Sequence, residues 1–284
     1  MVSIIIPAYN EEAVIGRTLS HLLDGADSDD FEIIVSCNGC RDRTAEIAKA
    51  FGKPVHVIET EKGSKTLALN LGDQAAQSFP RIYLDADILM SYQTVKKIET
   101  ALHQPGVLAV APRMHADLTG RNWFIRAFYE TWLKTPYHTQ GMIGSGVYAL
   151  SQEGRSRFDR FPDIIADDGF VRAQFAPHER MVLESCSFTV NPPLTIDGLL
   201  RIKTRAVLGN RELVKKYPEL ADRLHSTQPS SGKEEPYRRM IANPLCWPRL
   251  GVYAFVKIVS AWRAKSQLKK LSTYRWERDE SSRV

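Results

Sequence analysis

The chain has 284 residues, of which 43% are hydrophobic and 25% charged, so it can bury a sizeable core in one large domain or in one domain with appendages. Its net charge of +5 is unevenly distributed, because residues 201–284 hold 19 Lys and Arg against 8 Asp and Glu, whereas residues 1–200 hold 19 against 25. No nucleic-acid-binding motif accompanies the basic residues, so we expect no nucleic acid partner. We expect the basic last third to contact either the phosphates of a substrate or an anionic membrane leaflet.

The cysteines and the first residues indicate a compartment. Four cysteines are too few and too scattered for a disulfide framework, so reduced thiols are expected. The chain starts without the basic segment and cleavage site of a signal peptide, and no apolar run is long enough to span a bilayer. These features predict a cytoplasmic protein, whose basic last third could meet the inner face of the membrane.

Strand and helix patterns alternate through the first two thirds of the chain. Short apolar, β-branched runs predict strands at 2–6, 31–35, 55–58, 81–84, 107–111 and 146–150. Helical spacing of apolar residues predicts helices at 11–23, 44–51, 65–77, 93–102 and 121–133. This alternation is typical of an α/β fold with a Rossmann-like, mostly parallel central sheet flanked by helices. Basic helical segments follow residue 199, so we predict a catalytic domain at 1–200 and a basic, mainly helical C-terminal extension at 201–284.

Two carboxylates follow the fourth predicted strand. Ligands of open α/β sheets bind beyond the carboxyl ends of the strands, and Asp85 and Asp87 stand at such an end. Carboxylates separated by one residue can direct oxygens at one Mg²⁺ or Mn²⁺ and its bound phosphates. The alternative is structural, with Asp85 capping a turn and Asp87 merely exposed.

Three motifs in this order resemble the inverting glycosyltransferases of family 2. The residues that carry the resemblance are 2–12 (VSIIIPAYNEE), 61–70 (EKGSKTLALN) and 83–87 (YLDAD). The resemblance extends to about residue 205 and implies a GT-A fold, a nucleotide-diphosphate sugar as donor and a divalent metal on the two aspartates. It also implies a nucleotide-sugar pocket formed by Pro7, Ala8, Tyr9, Glu11, Asn38, Lys65, Asp85 and Ala86.

The second predicted strand ends differently from that of most family members, which have a pair of aspartates there. Asn38 stands in this segment, and an amide can pair with uracil or with guanine, so the donor base stays open. Cys37 and Cys40 in the same turn could form a redox pair or half of a zinc site, but no second ligand pair follows. Lys65 follows a segment similar to the end of a P-loop whose first glycine is missing, and it could line the pocket or lie on the surface.

The resemblance also assigns a catalytic base. Residues 164–172 (IIADDGFVR) are similar to the family's Glu-Asp motif, with Asp167 in place of the glutamate. Asp168 would then deprotonate the acceptor, and Asp167 would orient the acceptor or the helix. Without the family, Asp167 reads as a helix N-cap and Asp168 as a favourable first-turn charge.

Small and aromatic residues mark the predicted acceptor side. Gly144, Ser145 and Gly146 resemble a strand that lies beside the donor sugar and acceptor, although tight sheet packing would also explain the glycines. A sugar-stacking platform or the core could use the aromatic residues Trp123, Trp132 and Tyr137.

The basic last third offers two functions. Arg201 and Arg205 lie where relatives often place cations against the diphosphate, whereas a solvated helix face is the alternative. A helical wheel of residues 249–271 has an apolar face formed by Val252, Phe255, Val256, Ile258, Val259 and Trp262. The other face carries Arg249, Lys257 and Ser260, and these residues are followed by Lys265, Lys269 and Lys270. This pattern suits peripheral contact with an anionic leaflet or packing on the catalytic domain.

The hypothesis from sequence is an inverting glycosyltransferase in polysaccharide or glycolipid assembly. Asp168 would act as the base, a metal on Asp85 and Asp87 would stabilise the leaving group, and a saccharide or lipid-linked molecule would be the acceptor. The alternatives are a retaining enzyme on the same fold or a non-catalytic nucleotide-sugar or membrane-binding module. Nucleotidyl transfer is disfavoured, because Pro7-Ala8-Tyr9-Asn10 replaces the glycine-rich loop that such enzymes have after the first strand.

Overall fold

A computed structural model describes residues 1–27, 29–139, 141–226 and 236–268. Within these residues the strands are β1 Val2–Ala8, β2 Phe31–Asn38, β3 Val55–Thr60, β4 Arg81–Leu84, β5 Ala109–Ala116, β6 Val147–Leu150 and β7 Arg180–Val190. The helices of the first two thirds are α1 Ile15–Leu23, α2 Thr44–Lys49, α3 Lys65–Ala75, α4 Tyr92–Leu102, α5 Trp123–Trp132, α6 Pro136–Thr139, α7 Gln152–Arg155 and α8 Asp167–Ala173. Those of the last third are α9 Ile196–Lys216, α10 Ala221–His225, α11 Pro236–Ala242 and α12 Trp247–Leu268.

The strands form one sheet in the order β3-β2-β1-β4-β6-β5-β7. The first four neighbours are parallel, β6 is antiparallel to both of its neighbours, and β5 and β7 are parallel. Every residue of β1 is buried, as expected for a central strand covered by helices on both faces. The predicted α/β class with a mostly parallel sheet is therefore confirmed.

The parallel part of the sheet determines where a ligand can bind. Ile4 of β1 lies opposite Ile33 of β2 and Ile82 of β4, so these strands run side by side in one direction. Their carboxyl ends, at Ala8, Asn38 and Leu84, consequently meet at one edge of the sheet. Polar residues that follow these ends are brought together although they are far apart in sequence.

Two strands differ from the prediction. β1 continues through Pro7, where the prediction stopped it, because β4 pairs only with residues 3–5 and β1 has no partner on that side at the proline. β7 was not predicted; it is an edge strand in which most residues are partly or fully exposed, so it lacks a continuous apolar run.

The last third packs on the sheet domain through its helices. α12 lies against α9 and α5, and α9 begins at Ile196, so the predicted boundary at residue 200 falls inside a helix. The division into two domains stays a prediction. Lys269 and Lys270, at the end of the predicted membrane segment, lie outside the described residues. In the described part of the chain, no helix combines the length and the apolar character needed to cross a bilayer.

Candidate active site

A cavity of about 1110 Å³ opens at the edge of the sheet where the parallel strands end. It is bordered by the carboxyl ends of β1, β2 and β4 and by α5, α8, α9 and α12. The predicted site residues on its walls are Pro7, Tyr9, Glu11, Asn38, Lys65, Asp85, Ala86, Asp87, Ser145, Gly146, Asp167, Asp168 and Arg205. The fold therefore gathers most of the sequence-predicted site around one space.

Lys65 connects two acidic motifs that are distant in sequence. It is the first residue of α3, and Ser64 caps that helix by accepting a hydrogen bond from the N–H of Leu67. The Nζ atom of Lys65 lies 2.9 Å from Oδ1 of Asp85 and 3.3 Å from Oδ2 of Asp167. Burial alone would lower the pKa of Lys65, but the surrounding carboxylates outweigh it and raise that pKa. Lys65 is therefore a fixed positive charge that lines the cavity.

Asp85 and Asp87 occupy the turn that follows β4. The Asp85 N–H donates to the Gly146 carbonyl at 2.8 Å, and the Ile88 N–H donates to the Asp85 carbonyl at 3.2 Å. The turn that the structural alternative foresaw is present, yet both carboxylates border the cavity. Burial and the neighbouring Asp85 raise the pKa of Asp87 to about 6, although Arg205 and Lys65 lower it. Two close carboxylates of this kind are favourable places for a cation.

Asp167 and Asp168 begin α8, with different surroundings. The N-cap of α8 is Ala166, which has no side-chain cap, so Asp167 does not take the N-cap position of the structural alternative. Asp167 is buried, and burial raises its pKa to about 6 while Lys65 lowers it. Asp168 accepts a hydrogen bond from the Gly169 N–H at 2.7 Å through Oδ1, and its Oδ2 faces the N–H of Ser145 at 3.4 Å.

The segment from Gly144 to Gly146 brings backbone close to these acids. Its three residues have φ values of 112°, 61° and 105°, a region that favours glycine. A Cβ on Gly144 would clash with the Asp168 carboxylate, and one on Gly146 would lie 2.8 Å from the side chain of Ile88. The first glycine thus makes room for a predicted catalytic group, and the second serves sheet-edge packing.

The nucleotide side of the predicted site is held together by Asn38. Its Nδ2 donates to the carbonyl of Ala8 at 2.8 Å, and its Oδ1 accepts from the N–H of Ser64 at 3.0 Å. Both ends of the amide therefore have protein partners, and the side chain positions the segment before α3 against β1. Ala8, a predicted pocket residue, is buried and does not line the cavity; its carbonyl accepts the hydrogen bond of Asn38.

The neighbouring cysteines do not form a metal site. Cys37 and Cys40 are free thiols, and Cys40 donates to the Ala8 carbonyl at 3.4 Å. Among the residues that the structure describes, no three His, Cys, Asp or Glu side chains form a group able to hold a metal. The hydrogen bonds of Cys40 give it a structural part at the turn.

The two predicted phosphate-binding arginines are separated. Arg205 lines the cavity and lowers the pKa of Asp87, so it lies at the acidic centre. Arg201 lies about 6 Å nearer the start of α9, has a half-exposed side chain, and forms a surface ion pair with Asp197 at 2.8 Å. Arg201 does not line the cavity, although Ile202 and Lys203 of the same helical turn do, so an approach of Arg201 to the diphosphate stays a prediction.

The opposite wall of the cavity combines lysines with the aromatic residues that the sequence analysis named. Lys203 of α9 lies over the ring of Trp132, and Lys257 of α12 borders the same space. Tyr137 also lines the cavity, whereas Trp123 is 57% exposed and lies outside it. Lys203 belongs to the basic run 201–205, but which cation of that run faces inward depends on how α9 packs.

Helix α12 has two apolar faces rather than the single one predicted. Its buried face consists of Val252, Val256, Ser260 and Ala264. The side chains of Phe255, Ile258 and Trp262 are 49%, 68% and 73% exposed. The assignment of Ser260 to the polar face was wrong, because it lies one turn from Val256 on the face that packs inward. Packing on the core thus leaves a second apolar face exposed.

Comparison with known proteins agrees with this architecture. The chain is 28% identical over 155 residues to a dolichyl-phosphate beta-glucosyltransferase of Drosophila melanogaster, covering 48% of this chain and 47% of that protein. It spans less than half the length of the curated relatives it matches.

Solved structures share the fold. A mannosyltransferase from Pyrobaculum calidifontis in complex with GDP-Man and Mn²⁺ has a TM-score of 0.61 at 21% identity, over 96% of this chain and 81% of that one. A glucosyl-3-phosphoglycerate synthase from Mycobacterium tuberculosis, in complex with Mn²⁺, UDP and glucosyl-3-phosphoglycerate, has a TM-score of 0.54 at 19% identity, over 82% of each chain. The fold is thus of the predicted GT-A type. A model described as glycosyl transferase family 2 matches residues 3–152, more than half of the chain, and the chain therefore belongs to that family.

Proposed function

We propose that this chain transfers a sugar from a nucleotide-diphosphate sugar to an acceptor hydroxyl with inversion at the anomeric carbon. The observation that carries the proposal is the convergence of Asp85, Asp87, Lys65, Arg205 and Asp168 on one cavity at the carboxyl ends of the strands. The same cavity thus holds positive groups that can stabilise a departing diphosphate and a carboxylate that can accept the proton of the acceptor hydroxyl. Membership of family 2 supports the reaction class.

The acidic strand end fits a divalent cation, Mg²⁺ or Mn²⁺. Asp85 and Asp87 would hold it, and the raised pKa of Asp87 reflects two carboxylates that a cation would stabilise. The protein offers two carboxylates here, so diphosphate oxygens and water would supply the other ligands. Such an ion supplies neutralisation of the charge that develops on the leaving diphosphate. Two structures with a similar fold are complexes with Mn²⁺.

Lys65 and Arg205 supply fixed positive charge to the same leaving group. Asp167 pairs with Lys65 and keeps its ammonium at the strand end, so Asp167 acts by positioning rather than by proton transfer. Cations already held in place stabilise developing charge without reorganisation during the reaction.

Asp168 is the proposed base. Its Oδ1 accepts the N–H of Gly169, whereas Oδ2, among the residues that the structure describes, has only the long contact with the Ser145 N–H. The second oxygen is therefore available to accept the proton of an acceptor hydroxyl, whose oxygen then forms the bond to the anomeric carbon as the bond to the diphosphate breaks.

The test uses Asp168→Asn and the matched control Asp163→Asn, which changes an exposed carboxylate five residues earlier. A panel of UDP and GDP sugars with Mn²⁺ would identify the donor by its slow hydrolysis, with water as the acceptor. We expect Asp168→Asn to lower the turnover about 10²–10⁴-fold, the control to retain it, and NMR to show inversion in the released sugar.

Other outcomes would identify the alternatives. A product with retained configuration would indicate a retaining enzyme and would remove the role of Asp168. Donor binding without turnover in the unchanged protein would indicate a non-catalytic binding module.

We also propose that α12 makes peripheral contact with an anionic leaflet, so that the acceptor is membrane-assembled or lipid-linked. The exposed Phe255, Ile258 and Trp262 form an apolar face on a helix that carries four Lys and Arg and no Asp or Glu. An apolar stripe with cations beside it is complementary to negatively charged headgroups.

A further inference from the structure

The cavity wall formed by α5, α9 and α12 contains a lysine and aromatic residues that have no role in the proposed sugar transfer. Lys203 of α9 points its ammonium at aromatic rings of α5. Its Nζ lies 3.1 Å from the ring centroid of Trp132, 5.2 Å from that of Phe128 and 5.7 Å from that of Tyr129. Tyr253 of α12 stacks on Phe128 with centroids 5.7 Å apart. An ammonium group is thus held among aromatic faces on the cavity wall.

In the part of the chain that the structure describes, the Lys203 side chain has no counterion. Within the described residues Lys203 forms no ion pair, and the ionisable groups that act on it are the cations Lys257 and Arg205. Burial and these two cations lower the pKa of Lys203 well below its ordinary value. Attraction to the aromatic faces is weaker than the cost of removing an ion from water. An anion between Lys203 and Lys257 would stabilise the ammonium form of Lys203.

The surrounding residues restrict which anion fits. Arg205 already lies at Asp87, where the donor diphosphate is expected. The remaining wall beside Lys203 is apolar, with Trp132, Tyr253 and Val256. A donor diphosphate lies between a sugar and a ribose, both polar, so it matches this wall poorly. The ligand that matches has a negative group next to an apolar one.

The opening of this region supports the same ligand. Lys257 is exposed and borders the cavity, whereas the side chains of Phe255 and Ile258 face solvent on another side of α12. Phe255 also contacts Phe124 of α5, with ring centroids 5.9 Å apart. Phe124 lies one turn before Phe128, which lines the cavity, so an apolar chain could leave the cavity along α5 and Phe255.

We propose that Lys203 and Lys257 form an anion subsite for the acceptor, which carries a phosphate ester between its saccharide and an apolar chain. The inference rests on the proposed function, because it assigns the saccharide hydroxyl to Asp168. The phosphate lies on the two lysines and the first part of the apolar chain lies against Trp132 and Tyr253.

Calorimetric titration of the full chain with octyl phosphate, octyl glucoside and inorganic phosphate tests the subsite without requiring turnover. We expect octyl phosphate to bind at least tenfold more tightly than either of the other two probes. The variant Lys203→Met should lose this preference. The control Lys215→Met, an exposed lysine on the same helix, should retain it.

Several results would overturn the subsite. Equal affinity for octyl phosphate and octyl glucoside would show that the site does not select an anion. Equal affinity for octyl phosphate and inorganic phosphate would show that the site does not bind an apolar chain. Weaker binding of a nucleotide diphosphate with Mn²⁺ to Lys203→Met would assign Lys203 to the donor instead.

The proposed function is tested separately. Asp168→Asn should bind octyl phosphate like the unchanged protein, so a failure of the base assignment leaves the subsite measurable.

Discussion

At the scale of single residues, Gly144 shows how one missing side chain can position a reacting group. Its φ of 112° and its approach to the Asp168 carboxylate make glycine the residue that fits. Any larger side chain must displace either the backbone segment or the proposed base. Backbone strain and displacement of the base are different effects, and variants can separate them.

The first prediction compares Gly144→Ala with Gly106→Ala. Gly106 also has a positive φ, 80°, but an added Cβ would meet nothing within 4 Å. We expect each variant to lose about 1–3 kcal/mol of unfolding free energy from backbone strain. Transfer should fall at least about 100-fold only in Gly144→Ala, because Asp168 moves. Denaturation and turnover per folded protein are the measurements, and equal activities would contradict the placement of Asp168.

A second residue-scale prediction concerns His138. Burial, followed by Lys203 and Arg172, lowers the pKa of His138 to about 3. The unfolded chain takes up this proton below about pH 6.5, whereas the folded chain does so only near pH 3, so stability falls as pH is lowered through this window. The loss approaches about 1.4 kcal/mol for each pH unit.

The variant His138→Phe tests this linkage. Phenylalanine keeps a ring against Trp132 and Tyr137, which the imidazole contacts edge-on, and it does not titrate. We expect urea unfolding between pH 6.5 and 4 to depend less on pH in this variant, by about 1 kcal/mol per unit. His21→Phe, at an exposed position, should leave the dependence unchanged. Parallel curves for the variant and the unchanged protein would show that His138 is protonated in the fold.

At the scale of elements, α12 is defined by what each of its faces touches. Val252 and Val256 pack inward, while Ile258 and Trp262 stay exposed. A substitution on the outer face should therefore change surface affinity without loosening the core. This separation makes the proposed membrane contact testable.

The third prediction is for the double variant Ile258→Ser with Trp262→Ser. Vesicles with one third phosphatidylglycerol should bind it at least about tenfold more weakly, because partial burial of each side chain contributes roughly 1 kcal/mol. The thermal midpoint should stay the same. Met181→Ser, on the edge strand β7, is the control for an exposed apolar residue. Unchanged vesicle binding would contradict the proposal. If the unchanged protein is a dimer and the double variant is a monomer, the exposed face is instead an interface between two copies.

At the scale of the whole molecule, the cavity joins parts of the chain that are far apart. Its walls come from strand ends, α8, α9 and α12, so a ligand in it connects the sheet domain with the last third. Binding to the folded state stabilises all these elements together. The thermal midpoint is therefore a global readout of the proposed donor site.

The fourth prediction is that a nucleotide diphosphate with Mn²⁺ raises the Tm by several degrees, and by more than either component alone. At a hundredfold excess over Kd, binding contributes about 2.7 kcal/mol, which corresponds to some 4–8 °C in a chain of this size. A thermal-shift series with UDP and GDP, with and without Mn²⁺, measures it. Asp87→Asn should lose the additional effect of the metal, and an equal shift in that variant would contradict the metal assignment.

Much of the fold could be inferred from local patterns in the chain. The alternation of strands and helices, and the position of Asp85 and Asp87 after a buried strand, follow from hydrophobic periodicity over 4–12 residues. β7 was not predicted because an edge strand buries only part of its side chains. β1 extends past Pro7, where the prediction ended it, because its pairing with β4 ends before the proline. Periodicity reports which side of an element is buried, but not its position in a sheet.

The tertiary structure was needed to show which charged residues of the site lie close together. Lys65 meets Asp167 across more than a hundred residues, Arg205 enters the cavity while Arg201 stays outside, and Lys203 turns towards Trp132. The motifs in the linear chain were sufficient for the family and the sheet, because those depend on neighbours in sequence. Coulomb interactions and desolvation depend on distances in space, and the packing of α9 and α12 determines those distances.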